Sequence, residues 1–209
     1  LDGAPYPAWE KVARYQGAYY LNVLGTVAGV ESTRGCPYDC AFCSVWTFHQ
    51  RLYRKKSIDR VLEEVGRLPE AHVTAFFDDE FWVDSDRSLQ LADRITSLRT
   101  ASGSRARNFW AQVRTGDIAR TPELVRRWAH AGLKVLLLGI ESHKEPELHD
   151  LHHKRSSMAN TEVALDVMRD AGVEAWGCFI VNPEWDKQDF LDLESFVRRH
   201  RIAFPQFSV

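Results

Sequence analysis

The sequence predicts an α/β protein in which parallel strands are joined by helical crossovers. Three observations lead there. Continuous apolar runs such as Leu133–Ile140 (LKVLLLGI) are too uniformly hydrophobic for strands with a solvent face. Amphipathic segments separate these runs, so strands and helices alternate. Two stretches, PELVRRWAHAGLKVLLLGIES and TEVALDVMRDAGVEAWGCFIV, share one order of helix, Ala-Gly and apolar strand, a weak internal repeat of one βα unit. The architecture is therefore a doubly wound sheet or an incomplete, open barrel, and both bind ligands beyond the carboxyl ends of their strands.

Residues 1–27 contain Pro5, Pro7, Gly17 and Gly25 among scattered aromatics and read as a linker into a core of 28–209. Val27–Thr33 is the first expected strand. Ser57–Leu68 places Ile58, Val61, Leu62 and Val65 on one helical face behind an N-cap Ser57. A strand at Val73–Phe77 and a helix at Ser85–Ser97 follow, then a polar loop over 100–108 and a strand at Phe109–Val113. Thr121-Pro122 opens a helix that Ala131-Gly132 closes. After Leu133–Ile140 come a helix at Asn160–Ala171, a strand at Val173–Val181, a helix at Asp186–His200 and a strand at Ile202–Val209. That makes six strands and five or six helices.

The chain has 209 residues, 44% hydrophobic and 27% charged, with a net charge of −2 and a pI near 6.5. Such a balance asks for neither nucleic acid nor an anionic membrane. No apolar run reaches the roughly 18 residues of a spanning helix, so no transmembrane segment is expected. Leu1 stands where a start would have Met, and LDGAPYP and FPQFSV read as a linker and a cut strand, which suggests a piece of a longer protein.

Three of the four cysteines crowd into one loop, Gly35-Cys36-Pro37-Tyr38-Asp39-Cys40-Ala41-Phe42-Cys43, while Cys178 lies in an apolar run as a core residue. This is no disulfide framework; it points to a metal in a reducing compartment, hence the cytoplasm. Three thiolates at this spacing can each take one iron of a cubane and leave the fourth iron free for a small molecule. A zinc site built from the three cysteines and His49 is the alternative. Gly35 and Pro37 let the loop turn tightly.

The CxxxCxxC loop after a first strand, with Phe42 before its third cysteine, resembles the radical S-adenosylmethionine (SAM) superfamily. That resemblance implies a partial (β/α)6 open barrel of the TIM type. It also implies a 4Fe-4S cluster on Cys36, Cys40 and Cys43, and SAM chelated to the open iron and cleaved to a 5′-deoxyadenosyl radical. Other positions then take roles by the same resemblance. In Phe76-Phe-Asp78-Asp79-Glu80-Phe81, Asp78 or Asp79, with Glu80 second, receives the methionine ammonium, although acids stand where the family has glycines. Arg114 suits the methionine carboxylate or pairs with these acids. Glu141, followed by Ser142, suits the ribose hydroxyls, and the strand through Phe179 flanks the adenine.

The segments ESTRGCPYDCAFCSVW, FFDDEFW, WAQVRTG, LLLGIES and WGCFIVNPEWD narrow the resemblance to cobalamin-binding members, and within these to hopanoid C-3 methylase-like proteins. It implies a class B C-methyltransferase. One SAM methylates cobalamin, and a second yields the radical that opens an unactivated carbon to the methyl group. Cobalamin would sit on a domain outside this chain. A small-molecule or lipid substrate and an electron donor such as flavodoxin or ferredoxin are the implied partners. Cyclisation, oxidation or a non-catalytic iron–sulfur or zinc module remain alternatives. Trp46, Trp176 and Trp185 either line an apolar substrate or corrin pocket or serve ordinary packing. His143, His149, His152, His153, Lys154 and Arg155 read as a solvated connector that can lie over the barrel mouth.

Overall fold

The computed structural model describes residues 1–21, 24–102, 107–150 and 157–209. In chain order the elements begin with two short 3-10 turns, Trp9–Lys11 and Ala13–Ala18, then β1 (Tyr20–Leu21), β2 (Gly25–Val30) and β3 (Thr33–Arg34). The cysteine loop follows, carrying α1 (Val45–Phe48), and returns through β4 (Arg54–Lys55). Next come α2 (Ile58–Arg67), β5 (Val73–Phe76), α3 (Ser85–Ser102), β6 (Asn108–Arg114), α4 (Thr115–Arg120), α5 (Glu123–Ala131) and β7 (Leu133–Glu141). The chain ends with α6 (Glu145–Asp150), α7 (Met158–Asp170), β8 (Glu174–Ile180), α8 (Lys187–Arg199) and β9 (Phe204–Ser208).

One seven-stranded sheet runs β1-β2-β5-β6-β7-β8-β9. Only β1 is antiparallel; β2 through β9 pair in parallel, each with the next in the sheet. The two ends do not meet, so the sheet is a curled half-barrel of six parallel strands, the open barrel expected from the sequence. The strands form because β-branched and aromatic side chains alternate between two apolar environments. On the convex face Phe76, Phe109, Ala111, Leu136, Leu138 and Phe179 meet the helices in one core with Trp82, Leu91, Leu124 and Trp128. On the concave face Val73, Ala75, Trp110 and Val135 form a smaller cluster with Val27, Leu137, Trp176 and Phe204 against it.

Local chemistry fixes the helix ends. Ser57 caps α2 by accepting from the Arg60 amide at 3.2 Å, and Asp186 with Asp189 makes a reciprocal capping box on α8. Gly132, with φ +120°, ends α5; a Cβ there would stand 2.4 Å from the Arg107 carbonyl, so only glycine fits this helix-to-strand joint.

Three departures from the sequence-based expectation matter for the site. The first expected strand, Val27–Thr33, is divided into β2 and β3, because β3 leaves the main sheet to pair with β4. The sequence gives no sign of α4, which places Asp117 within a turn of Arg114. The expected polar loop over 100–108 is partly α3, which runs to Ser102, and partly β6, which begins at Asn108.

Candidate active site at the carboxyl ends of the strands

The cysteine loop stands on the β3–β4 ribbon directly beyond the carboxyl end of β2. Gly35 enters it at φ +93°, where a Cβ would lie 2.0 Å from the Leu52 carbonyl oxygen; the loop can close on itself only because residue 35 is glycine. The Trp46 indole donates to the Cys40 carbonyl at 3.0 Å, and the Cys43 amide donates to the same oxygen at 3.1 Å. Arg51 pairs with Asp39 at 3.3 Å and stacks 5.0 Å above the Trp46 ring. Phe42 is 47% exposed, on the outside of the loop.

The acidic segment after β5 holds this loop from below, and its three acids do different things. Asp78 is wholly buried and accepts from the Ser32 amide and hydroxyl, both at 2.5 Å, and from the Thr33 amide at 2.9 Å. Burial pushes Asp78 up to about 6 despite these donors. Asp79 accepts from the Gly35 amide at 2.7 Å and lies 3.5 Å from His49 Nε2. Glu80 turns the other way, into the interior beneath Cys36. Burial first, and the Asp117 carboxylate next, raise it well above the usual carboxylate range, with Arg114 opposing. Gln112 on β6 fastens the segment by donating to the Asp78 carbonyl at 2.7 Å and the Asp79 carbonyl at 3.3 Å.

Arg114 ends β6. Its guanidinium carbon lies 3.6 Å from the centre of the Tyr38 ring, and its Nε and Nη2 are buried with no hydrogen-bond partner among the described residues. Tyr38 in turn donates its hydroxyl to Asp117 Oδ1 at 3.2 Å, and Arg120 pairs with the same carboxylate. At the end of β7, Glu141 is buried with φ +70°, a backbone conformation disfavoured outside glycine and asparagine. Such outliers concentrate at functional sites. Ser142 beside it is fully buried and donates to Glu147, which also accepts from the Trp185 indole at 2.6 Å. On β8, the Phe179 side chain faces the convex core, packed on Phe196 and Phe207, while Cys178 faces the concave side, half-buried.

The structure thus gathers Cys36, Glu80, Arg114, Tyr38 and Asp117 into one cluster and puts Asp78 and Asp79 behind the loop. Tyr38, Ser32 and Asp117 take no role from sequence reasoning. An aromatic inside the cysteine loop and an acid three residues beyond Arg114 were the available signals. The three tryptophans do not converge. Trp46 belongs to the cysteine loop, Trp176 packs on the concave face edge-on to Trp110 and tilted against Phe204, and Trp185 is buried beside His143. His152, His153, Lys154 and Arg155 lie outside the described residues.

The donor set fits a cluster better than a lone ion. None of the three loop cysteines is tied up in a disulfide and all are only partly exposed, and burial pushes Cys36 up to about 12, a thiol that needs a strong Lewis acid to take its proton's place. Zinc requires its ligands together at about 2.0–2.3 Å, whereas each cubane thiolate serves its own iron. His49 meets Arg54 through Nδ1 at 2.7 Å and Asp79 through Nε2. Both its nitrogens are therefore engaged, against its use as a fourth zinc ligand.

The sequence profile described as the Radical SAM superfamily matches residues 30–197. The hopanoid C-3 methylase of Methylococcus capsulatus is 29% identical over 177 residues, which cover 85% of this chain and 33% of that protein. The anaerobic magnesium-protoporphyrin IX monomethyl ester cyclase of Cereibacter sphaeroides is 28% identical over 179 residues, covering 83% and 28%. The chain thus spans about a third of the length of these curated relatives. Among solved structures, the methyltransferase TsrM of Kitasatospora setae, with cobalamin and a 4Fe-4S cluster bound, superposes with a TM-score of 0.72 at 16% identity, over 88% of this chain and 36% of that one. The enzyme OxsB, with aqua-cobalamin and SAM bound, superposes with a TM-score of 0.73 at 14% identity, over 98% and 30%. These likenesses carry the half-barrel fold. With its profile match spanning most of its length, the chain belongs to the radical SAM superfamily, whose cofactors are a 4Fe-4S cluster and S-adenosylmethionine.

Proposed function

We propose that this chain is the radical-generating core of a cobalamin-dependent C-methyltransferase that acts on an unactivated carbon of an apolar substrate such as a hopanoid-like lipid. The observation that carries it is the meeting of the Cys36–Cys43 loop with Glu80 and Arg114 at the strand ends. Cys36, Cys40 and Cys43 would hold the cluster as thiolates. When bound, it supplies the low-potential electron that splits the sulfonium of SAM.

The chain's own residues then bind and orient. Arg114, with Nε and Nη2 buried and unpartnered among the described residues, offers two N–H edges to the methionine carboxylate. Glu80 is the acid we assign to the ammonium: Asp78 and Asp79 are taken up by Ser32, Thr33 and Gly35, whereas Glu80, held by the Trp82 amide at 3.3 Å, lies near Cys36 and Arg114. Glu141 accepts from the ribose, with Ser142 holding the turn behind it. Phe42 and the β8 backbone at Phe179 flank the adenine. Cobalamin we assign to a domain outside these residues, and a flavodoxin or ferredoxin to the delivery of electrons in the cytoplasm. Among the described residues no helix is long and apolar enough to cross a membrane.

Anaerobic reconstitution with iron and sulfide tests the core reading. The expected product is a brown protein whose low-temperature EPR spectrum changes on adding SAM and which releases 5′-deoxyadenosine with dithionite. A colourless protein carrying one zinc would overturn it. A second reading, radical cyclisation, is favoured by the 28% identity to the cyclase. SAM with a deuterated methyl group separates the two in the full-length protein, since only methylation moves the label into product.

A further inference from the structure

Tyr38 sits inside the cysteine loop, two residues from Cys36 and two from Cys40, yet nothing in the binding scheme uses it. Its side-chain contacts leave the loop altogether, while its backbone amide donates to Cys36 within it. The ring lies under the Arg114 guanidinium at 3.6 Å, and the hydroxyl donates to Asp117 Oδ1 at 3.2 Å. Arg114 ends β6 and Asp117 lies in the first turn of α4, so one side chain ties the cluster loop to a strand end and to the helix after it. The tie is half-buried, where a cation–π contact is stronger than at an exposed surface. Other attachments of the loop, such as Asp79 to Gly35 and Arg51 to Asp39, grip its backbone or its own side chains.

We infer that Tyr38 is a positioning residue that sets Arg114 and the cluster loop relative to one another. Occupancy of the SAM carboxylate position and retention of the cluster therefore depend on the same side chain. The physical reason lies in what Arg114 lacks. Its buried Nε and Nη2 have no hydrogen-bond partner among the described residues, so hydrogen bonds from these atoms do not fix the guanidinium's plane. Ring stacking fixes it, leaving the N–H edges free for an incoming carboxylate. The hydroxyl bond to Asp117 keeps the ring from sliding out. The part concerning SAM rests on the proposed role of Arg114; the part concerning the loop does not.

Two variants and two readouts separate these parts. Cluster stability is read as the rate at which a chelator strips iron from the anaerobically reconstituted chain. SAM affinity is read from the EPR change on titration. Tyr38→Leu removes ring and hydroxyl and is expected to weaken SAM binding about tenfold, between the exposed and the desolvated strength of a cation–π contact, and to speed iron loss several-fold. Tyr38→Phe keeps the ring and is expected to hold SAM within about twofold of wild type while still losing iron faster, because only the hydroxyl bond is gone. That split would not arise from a general loss of folding, which the circular dichroism melt of each apo chain checks independently.

If Arg114→Gln leaves SAM affinity unchanged while Tyr38→Leu still sheds iron, the assignment of Arg114 fails and the loop tie stands. If Tyr38→Leu retains both cluster and SAM like wild type, the inference is overturned. It is overturned equally if Tyr38→Phe weakens SAM binding as much as Tyr38→Leu does.

Discussion

The two ends of the same side-chain alternation meet opposite fates in this half-barrel. On the convex face, Trp128 is completely buried, its ring edge-on to Phe76, Phe81 and Phe109 at 5.4, 4.9 and 6.0 Å, and its indole donates to Ser88 at 2.9 Å. The one polar atom of that side chain is satisfied. At the strand ends, Glu80, Asp117 and Arg114 are enclosed as well, yet Arg114 Nε and Nη2 and Asp117 Oδ2 lack partners among the described residues. Burial without satisfaction costs stability. Among the described residues the convex core also buries an unpartnered atom, the Trp82 indole nitrogen, but a neutral one. The charged orphans gather at the strand ends, where a ligand can complete them, so the convex face specifies the fold and the mouth holds the chemistry.

The largest effect should fall on the mouth and leave the fold alone. Cys40→Ser is expected to abolish cluster uptake, with iron per chain falling to background after reconstitution. The apo chain should keep its melting behaviour within about 0.5 kcal/mol, as for a partly exposed site. Loss of folding together with the iron would break the division.

Trp128→Ala is the converse. Emptying a fully buried indole from an aromatic cluster costs about 3–5 kcal/mol, and leaves Ser88 without its donor. Urea unfolding of the apo chain should show that loss in its midpoint. A cost under about 1 kcal/mol would mean that the convex core is far looser than its burial suggests.

Asp78 lies where the two regions touch, and pH reads it out. Its folded pKa is about 6, above its ordinary 3.8. The native state therefore holds this proton more tightly than the unfolded chain does. Between about pH 4 and 6 this site binds more protons in the native state, so its contribution to apo-chain stability falls as pH rises, by up to about 3 kcal/mol for two units. The measurement is the urea midpoint at several pH values, with Asp78→Asn expected to flatten the slope. A wild-type slope no steeper downward than that of Asp78→Asn would instead mean that the Ser32 and Thr33 donors offset burial.

The legible and illegible parts of the sequence divide along the same line. Strands and helices of the convex core are readable because burial there imposes a period, as in Leu133–Ile140 and in the repeated Ala-Gly joints. The cysteine triplet is readable because its spacing is itself the chemistry. Asp78, Asp79 and Glu80 cannot be ranked from sequence. Three consecutive acids at a strand end point in different directions, and their partners, Ser32, Gly35 and the Arg114 cluster, are more than 30 residues away in sequence. The β3–β4 ribbon escapes notice because two-residue strands carry no period at all. α4 escapes it because its six residues, TGDIAR, are too short and polar to show an apolar stripe.

The smallest prediction asks whether the division is complete. Ser57 caps α2 on the convex side, while its own amide donates to Asp2 at 2.8 Å and the amide of its neighbour Lys56 donates to the Ser32 carbonyl at 3.0 Å. Ser32 is the residue that Asp78 grips behind the cysteine loop. Ser57→Ala removes the cap and should cost about 1 kcal/mol. If the convex face and the mouth are separate, iron loss to a chelator stays at the wild-type rate. A faster loss would mean that fraying of the first turn of α2 travels through Lys56 and Ser32 into the loop. Stability and cluster retention would then be coupled through the β3–β4 ribbon, and the contrast between the two faces would hold for Trp128 but not for the helix that follows the ribbon.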